Sequence, residues 1–131
     1  MKNKMKQLTE WFKSQVGIQE KEENNVVYNT IYYGREVSGD KYPWCCAFIW
    51  VGFNKNNMSN LFCGGTKTAY CPFVVNWART HNQWITSGYR EGDLILFDWN
   101  NDGEADHIGY CIGVNGSTVI TIEGNAGDKV S

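Results

Sequence analysis

The sequence predicts an α+β fold in which N-terminal helices pack on a small antiparallel sheet. Three features point there. Apolar residues recur at helical spacing near the N-terminus, at Met5, Leu8, Trp11, Phe12 and Val16. A proline-led apolar run, Pro43-Trp44-Cys45-Cys46-Ala47-Phe48-Ile49-Trp50, reads as the front of a buried helix. Beyond Gly92 the chain changes to short apolar runs separated by turn signals. Helices first and a meander afterwards is the α+β order.

Each element follows from local chemistry. Residues 4–16 form the first helix, with Gly17 as its C-cap. Residues 20–25 make a charged connection, and the aromatic, irregular stretch 26–33 reads as an ordered loop continuing through 34–40. A helix covers about 44–53 and closes over 54–60. The glycine- and threonine-rich stretch 61–70 is a loop, and 72–80 a helix with proline in its first turn. A turn at 89–93 leads to a buried strand at 94–97. Strands follow at 107–114 and 118–123, joined by an Asn115-Gly116 hairpin signal.

At 131 residues the chain is expected to be one domain, long enough to bury a core. A net charge of -2 with scattered basic residues argues against nucleic acid or an anionic membrane surface as partner. No apolar run approaches the roughly 18 residues of a membrane span. The basic residues 1–7 lead into an amphipathic stretch, so no secretory signal peptide is expected. A monomer is expected. Five cysteines, two of them adjacent and none in a Cys-x-x-Cys pair, fit a reduced, thiol-dependent protein. A Cys63–Cys71 bridge stays open.

The chemistry concentrates at three places. Cys45 stands where a helix starts, among free backbone N–H groups at the positive end of the dipole, which favours thiolate. Downstream come Asp106-His107-Ile108-Gly109 and then Thr121-Ile122-Glu123-Gly124-Asn125. Cysteine, histidine and a polar orienter are the parts of a nucleophilic triad. The predicted hairpin brings His107 and Glu123 to neighbouring strands, and a helix packed on the sheet would aim Cys45 at the imidazole. His81, the second histidine, sits at a polar helix end and reads as solvated surface.

Four ordered motifs, Pro43-Trp44-Cys45-x-x-Phe48, Gly92-Asp93-Leu94-Ile95, Asp106-His107-Ile108-Gly109 and Ile122-Glu123-Gly124-Asn125, resemble the CHAP domain. This is the cysteine- and histidine-dependent amidohydrolase/peptidase of the NlpC/P60-like papain-fold branch. Residues 25–34 are similar to the segment before the cysteine in phage-type members. The resemblance implies a peptidoglycan hydrolase, cutting the muramoyl–L-alanine amide or a stem or cross-bridge peptide. A phage endolysin, made in the cytoplasm and acting at the bacterial wall, is one such enzyme.

Residue by residue, the resemblance makes Cys45 the nucleophile, three positions before the aromatic, and leaves Cys46 as a small buried residue. His107 is the base and Glu123 the orienter, with Asn125 as a second contact on the same strand face. Tyr33 is similar to a tyrosine that donates to the oxyanion, with Tyr32 and Tyr42 as competitors. Relatives usually continue into a further strand, so the domain is expected to lack its last one. Two rival readings are a papain-fold amidase on a non-wall substrate and a non-catalytic wall-binding domain.

No cofactor is required by this chemistry, but calcium is open. Asp98, Asn100 and Asp102, with Gly103 after the third, look like the first half of a calcium loop. The twelfth position is Gly109 rather than glutamate, and a polar connection turning at Asp102-Gly103 is the competing reading. Trp44, Trp50, Trp77, Trp84 and Trp99 are candidates for a sugar-binding groove. Trp50 and Trp77 read better as core, and Trp99 as a groove wall.

Overall fold

Helix α1 spans Lys2–Ser14 in the computed structural model, which describes residues 2–131. Leu8 and Phe12 from its apolar stripe are buried, while Val16 lies beyond the helix end and is 54% exposed. The helix therefore stops two residues short of the predicted end. Gly17, at φ 98°, instead turns its N–H to Val130 O at 2.9 Å.

Helix α2, Val27–Tyr33, replaces the loop expected there. Its seven residues are too few to show a helical period, and Gly34 caps it in the left-handed conformation, φ 76°, with its N–H on Thr30 O. Fully buried Asn29 explains its place: its amide donates to Asn24 O at 3.0 Å and to Tyr42 O at 2.8 Å. That second bond holds the loop entering the next helix.

Helix α3, Cys45–Lys55, is apolar nearly all round and almost wholly buried. It crosses under α1 where Gly52 leaves room for the Phe12 ring; a Cβ there would overlap it. Around it the rings form one aromatic core: Phe12 stacks on Tyr110 at 4.3 Å, and Tyr28 on Trp44 at 5.7 Å. Trp44 is fully buried, its indole N–H on Glu20 Oε2 at 2.8 Å, so it lines no groove. Two short 3₁₀ turns, Ser59–Leu61 and Cys63–Gly65, precede helix α4, Cys71–Thr80.

The sheet is antiparallel in the order β1 (Leu94–Phe97), β2 (His107–Asn115), β3 (Thr118–Ile122). Phe97 pairs with His107 and Tyr110 with Ile122, and the register shifts between Cys111 and Gly113. The hairpin turns at Gly116 (φ 62°) and Ser117, with Asn115 still in β2. Strand β1 is half-buried along its length, not buried, because it forms the sheet edge. After Asn125 the chain folds back: Ser131 exchanges backbone hydrogen bonds with Glu123 at 2.9 and 3.0 Å, and Val130 donates to Ile18 O.

Replacing Gly52 with alanine should drive a methyl group into the Phe12 ring. The expected cost is about 1–3 kcal/mol, read as a lower urea midpoint with an unchanged slope.

Candidate active site

Cys45, the first residue of α3, meets the start of β2, because α3 packs directly against that strand. The His107 imidazole stands close enough to pull the Cys45 thiol pKa down, while Cys45 pulls the imidazole pKa up. His107 is 4% exposed, and its Nε2 lies 3.0 Å from Glu123 Oε1. The second carboxylate oxygen, Oε2, accepts from the Thr121 hydroxyl at 2.5 Å. A chain of hydrogen bonds thus runs from His107 through Glu123 to Thr121, with Cys45 on the neighbouring start of α3. The ring's Nε2 end is a donor when the tautomer serves the carboxylate, leaving Nδ1 for the sulfur.

Two glycines make this assembly sterically feasible. A Cβ on Gly109 would lie 2.8 Å from Glu123 Cγ and 3.2 Å from Thr121 Cβ, so only glycine lets the carboxylate lie across β2. A Cβ on Gly124 would lie 2.7 Å from Phe48 Cβ, so this glycine sets how closely α3 approaches the end of β3. The glycines of the Asp-His-x-Gly and Glu-Gly-Asn motifs are spacers for the site.

Other expected residues are placed differently. Asn125 sits in a left-handed turn, φ 60°, so strand alternation no longer sends it to the Glu123 face. Its side chain makes no hydrogen bond among the described residues. Tyr33 packs edge-on against Tyr32 and Tyr42, at 4.7 and 5.2 Å, on the side of Cys46, and burial raises its pKa. Cys46 is fully buried with its thiol on Thr68 O at 3.5 Å. His81 is exposed and stacks on Trp77.

All five cysteines are free thiols, so no Cys63–Cys71 bridge is formed. The partner of Cys71 is Cys45, with the two sulfurs 3.8 Å apart. That hydrogen bond, followed by burial, pushes the Cys45 thiol well above its ordinary value, and His107 pulls it down only in part. Both effects oppose the thiolate that the helix start favours. A helix dipole offers about 0.3–1 kcal/mol, less than desolvation of a buried anion costs. Burial alone would lower the His107 pKa, but Cys45 and Glu123 outweigh it and hold the imidazole above 6.5.

Trp99, 67% exposed, covers one face of His107, with ring centroids 4.7 Å apart and planes within 23°. It is the tryptophan of the set that borders the site. Trp84 lies elsewhere, under the Arg79 guanidinium at 5.0 Å. A cavity of about 690 Å³ lies between α1, α4 and β1, lined by Leu8, Trp77, Trp84 and Leu96 among others. None of Cys45, His107 or Glu123 lines it, and contact geometry marks the reactive place better than cavity size.

Near Trp99 the carboxylates of Asp98, Asp102 and Asp106 come within 4.8 Å of one another. Asp98 accepts from the backbone N–H groups of Asp102 and Gly103 at 3.2 and 2.9 Å. Asn100 contributes its backbone N–H to Asp106 Oδ2 at 3.4 Å. Exposed hard-oxygen donors suit a calcium ion in kind, with Asp106 as the third carboxylate beside Asp98 and Asp102.

An α+β scaffold that brings a helix-start thiol to a hydrogen-bonded imidazole–carboxylate pair points to the cysteine–histidine hydrolase class. The chain belongs to the CHAP domain family, whose model matches residues 37–125, a span containing Cys45, His107, Glu123 and Asn125. That family is one of amidohydrolases and peptidases. No curated protein and no solved structure matches the chain.

Replacing Glu123 with glutamine should lower the His107 pKa, since a charge that favours imidazolium is lost; ¹H–¹⁵N titration of the ring reads this directly. The sign for stability follows. A folded-state value above 6.5 contributes stability that is present below pH 6.5 and lost as pH rises through the raised value. In the glutamine variant this pH dependence of the urea midpoint should shrink.

Proposed function

We propose that the protein hydrolyses amide bonds of peptidoglycan by a Cys45–His107–Glu123 thiol mechanism. The observation that carries this is the His107–Glu123 pair, 3.0 Å apart, at the start of the strand against which the Cys45-bearing helix α3 packs. Neutral His107 takes the Cys45 proton as sulfur attacks the amide carbonyl carbon. Collapse of the tetrahedral intermediate breaks the C–N bond, and the imidazolium gives its proton to the leaving amine. Water, deprotonated by His107, then attacks the thioester, releasing the acid and the Cys45 thiol. Glu123 holds the Nε2–H tautomer throughout, and Thr121 holds Glu123.

The Cys45 backbone N–H, free at the start of α3, serves the oxyanion, with the Tyr33 hydroxyl as second donor. Trp99 supplies an exposed aromatic wall for the sugar or stem peptide. A calcium ion, if bound by Asp98, Asp102 and Asp106 beside Asn100, would brace the loop carrying Trp99; bond cleavage itself assigns it no step. The reading extends to kinship with NlpC/P60-like enzymes, to a single catalytic domain acting as a monomer, and to a phage endolysin working at the bacterial wall.

Cys45→Ala should reduce lysis of purified walls by about a thousandfold or more, while Cys46→Ala retains it. Mass spectrometry of the released fragments should show a new L-alanine or cross-bridge amine. Lysis unchanged in Cys45→Ala would overturn the thiol mechanism, wall binding without lysis would leave a wall-binding role, and amide cleavage without wall products a non-wall amidase. The reaction needs neutral His107, so kcat/KM should climb as pH passes through the raised imidazole value above 6.5.

A further inference from the structure

Cys71 is a hydrogen-bond partner of the candidate nucleophile that the hydrolytic mechanism does not use. It is the first residue of α4, as Cys45 is of α3, so two helix starts bring their sulfurs to 3.8 Å. Both residues are nearly buried, at 6% and 8% exposure. Of the other thiols, Cys46 faces Thr68 O at 3.5 Å while also bearing on Cys71, and Cys111 faces Gly113 O at 3.4 Å. A disulfide bond is about 2.05 Å long, so closing the gap takes a movement of roughly the size of a side-chain rotation.

We propose that Cys45 and Cys71 are a site of reversible oxidation, with Cys71 the resolving thiol for Cys45. A peroxide transfers one oxygen to the Cys45 sulfur, giving a sulfenic acid and leaving as water. The Cys71 sulfur attacks that sulfenic sulfur; the S–S bond forms, the S–O bond breaks, and the hydroxyl departs with the Cys71 proton as a second water. Two electrons have left the thiol pair and reduced the peroxide. A small dithiol reverses this by two exchange steps. His107 beside Cys45 supplies the base that exposes the sulfur to oxidant, and Cys71 intercepts the sulfenic acid before it is oxidised irreversibly. Loss of turnover in the bridged form rests on the hydrolase reading above; the bridge itself does not.

The test treats the folded full chain with hydrogen peroxide, alkylates free thiols, and maps disulfides by non-reducing digestion and mass spectrometry. Backbone fragmentation between residues 45 and 46 assigns the bridged sulfur. The expected product is a Cys45–Cys71 link, with wall lysis falling to the level of Cys45→Ala and returning on dithiothreitol. Cys71→Ser, which before oxidation should lyse at least as fast as the wild type, should lose lysis that dithiothreitol does not restore. A Cys71 still free, or linked to Cys46 or Cys63, while Cys45 carries two or three oxygens would overturn the proposal. Mass mapping reads the bridge without reference to lysis. A 45–71 link in a protein whose Cys45→Ala variant still lyses walls would sink the hydrolase reading and leave the bridge standing.

Discussion

The arrangement of this site depends on one short distance, the approach of α3 to the end of the β2–β3 hairpin. Phe48 on α3 and the backbone of Gly124 are so close that a methyl group on Gly124 would lie 2.7 Å from Phe48 Cβ. The same helix carries Cys45 one turn earlier, and the same hairpin carries His107 and Glu123. Thiol, imidazole and carboxylate therefore meet because a buried aromatic side chain finds a bare backbone to rest on. The aromatic core of Phe12, Tyr28, Trp44, Phe48 and Tyr110 then fixes the helix in place. Burial sets the geometry, and the same burial withdraws the thiol from water and raises the cost of ionising it.

Much of this was legible in the sequence, for reasons that differ by element. The α3 run and the three strands were readable because apolar runs bounded by Pro43, Gly92 and Gly116 carry strong local signals. The residues that meet at the site were readable from their motifs. Helix α2 was not, because seven residues hold no full period and its stability comes from tertiary bonds, above all the Asn29 amide on Tyr42 O. The end of α1 was misjudged because Val16 matches the apolar stripe in spacing, while Gly17 is drawn off to Val130.

The pull of Cys71 on the Cys45 thiol was not legible for a different reason. The helix-start argument uses only the residue's own element, whereas the decisive neighbour, Cys71, comes from α4 and is 26 residues away in sequence. No spacing rule links the two. Thr121 was equally invisible, since its hydroxyl matters only because Gly109 lets Glu123 swing across β2 to reach it. The expected position of Asn125 failed where strand alternation ended, at a positive φ of 60°.

The return of the chain after Asn125 gives the site a mechanical property. Glu123 and Ser131 grip each other through paired backbone bonds, and Val130 in turn grips Ile18 just beyond α1. The carboxylate that steadies the imidazole is thus lashed by its own main chain to a strap that reaches the segment after α1. Peeling that strap away, by tension or by a protease, would slacken the acid without touching any side chain around the sulfur. The backbone of Val130 and Ser131 thereby ties the Glu123 main chain to the segment beyond α1 without meeting any side chain of the centre.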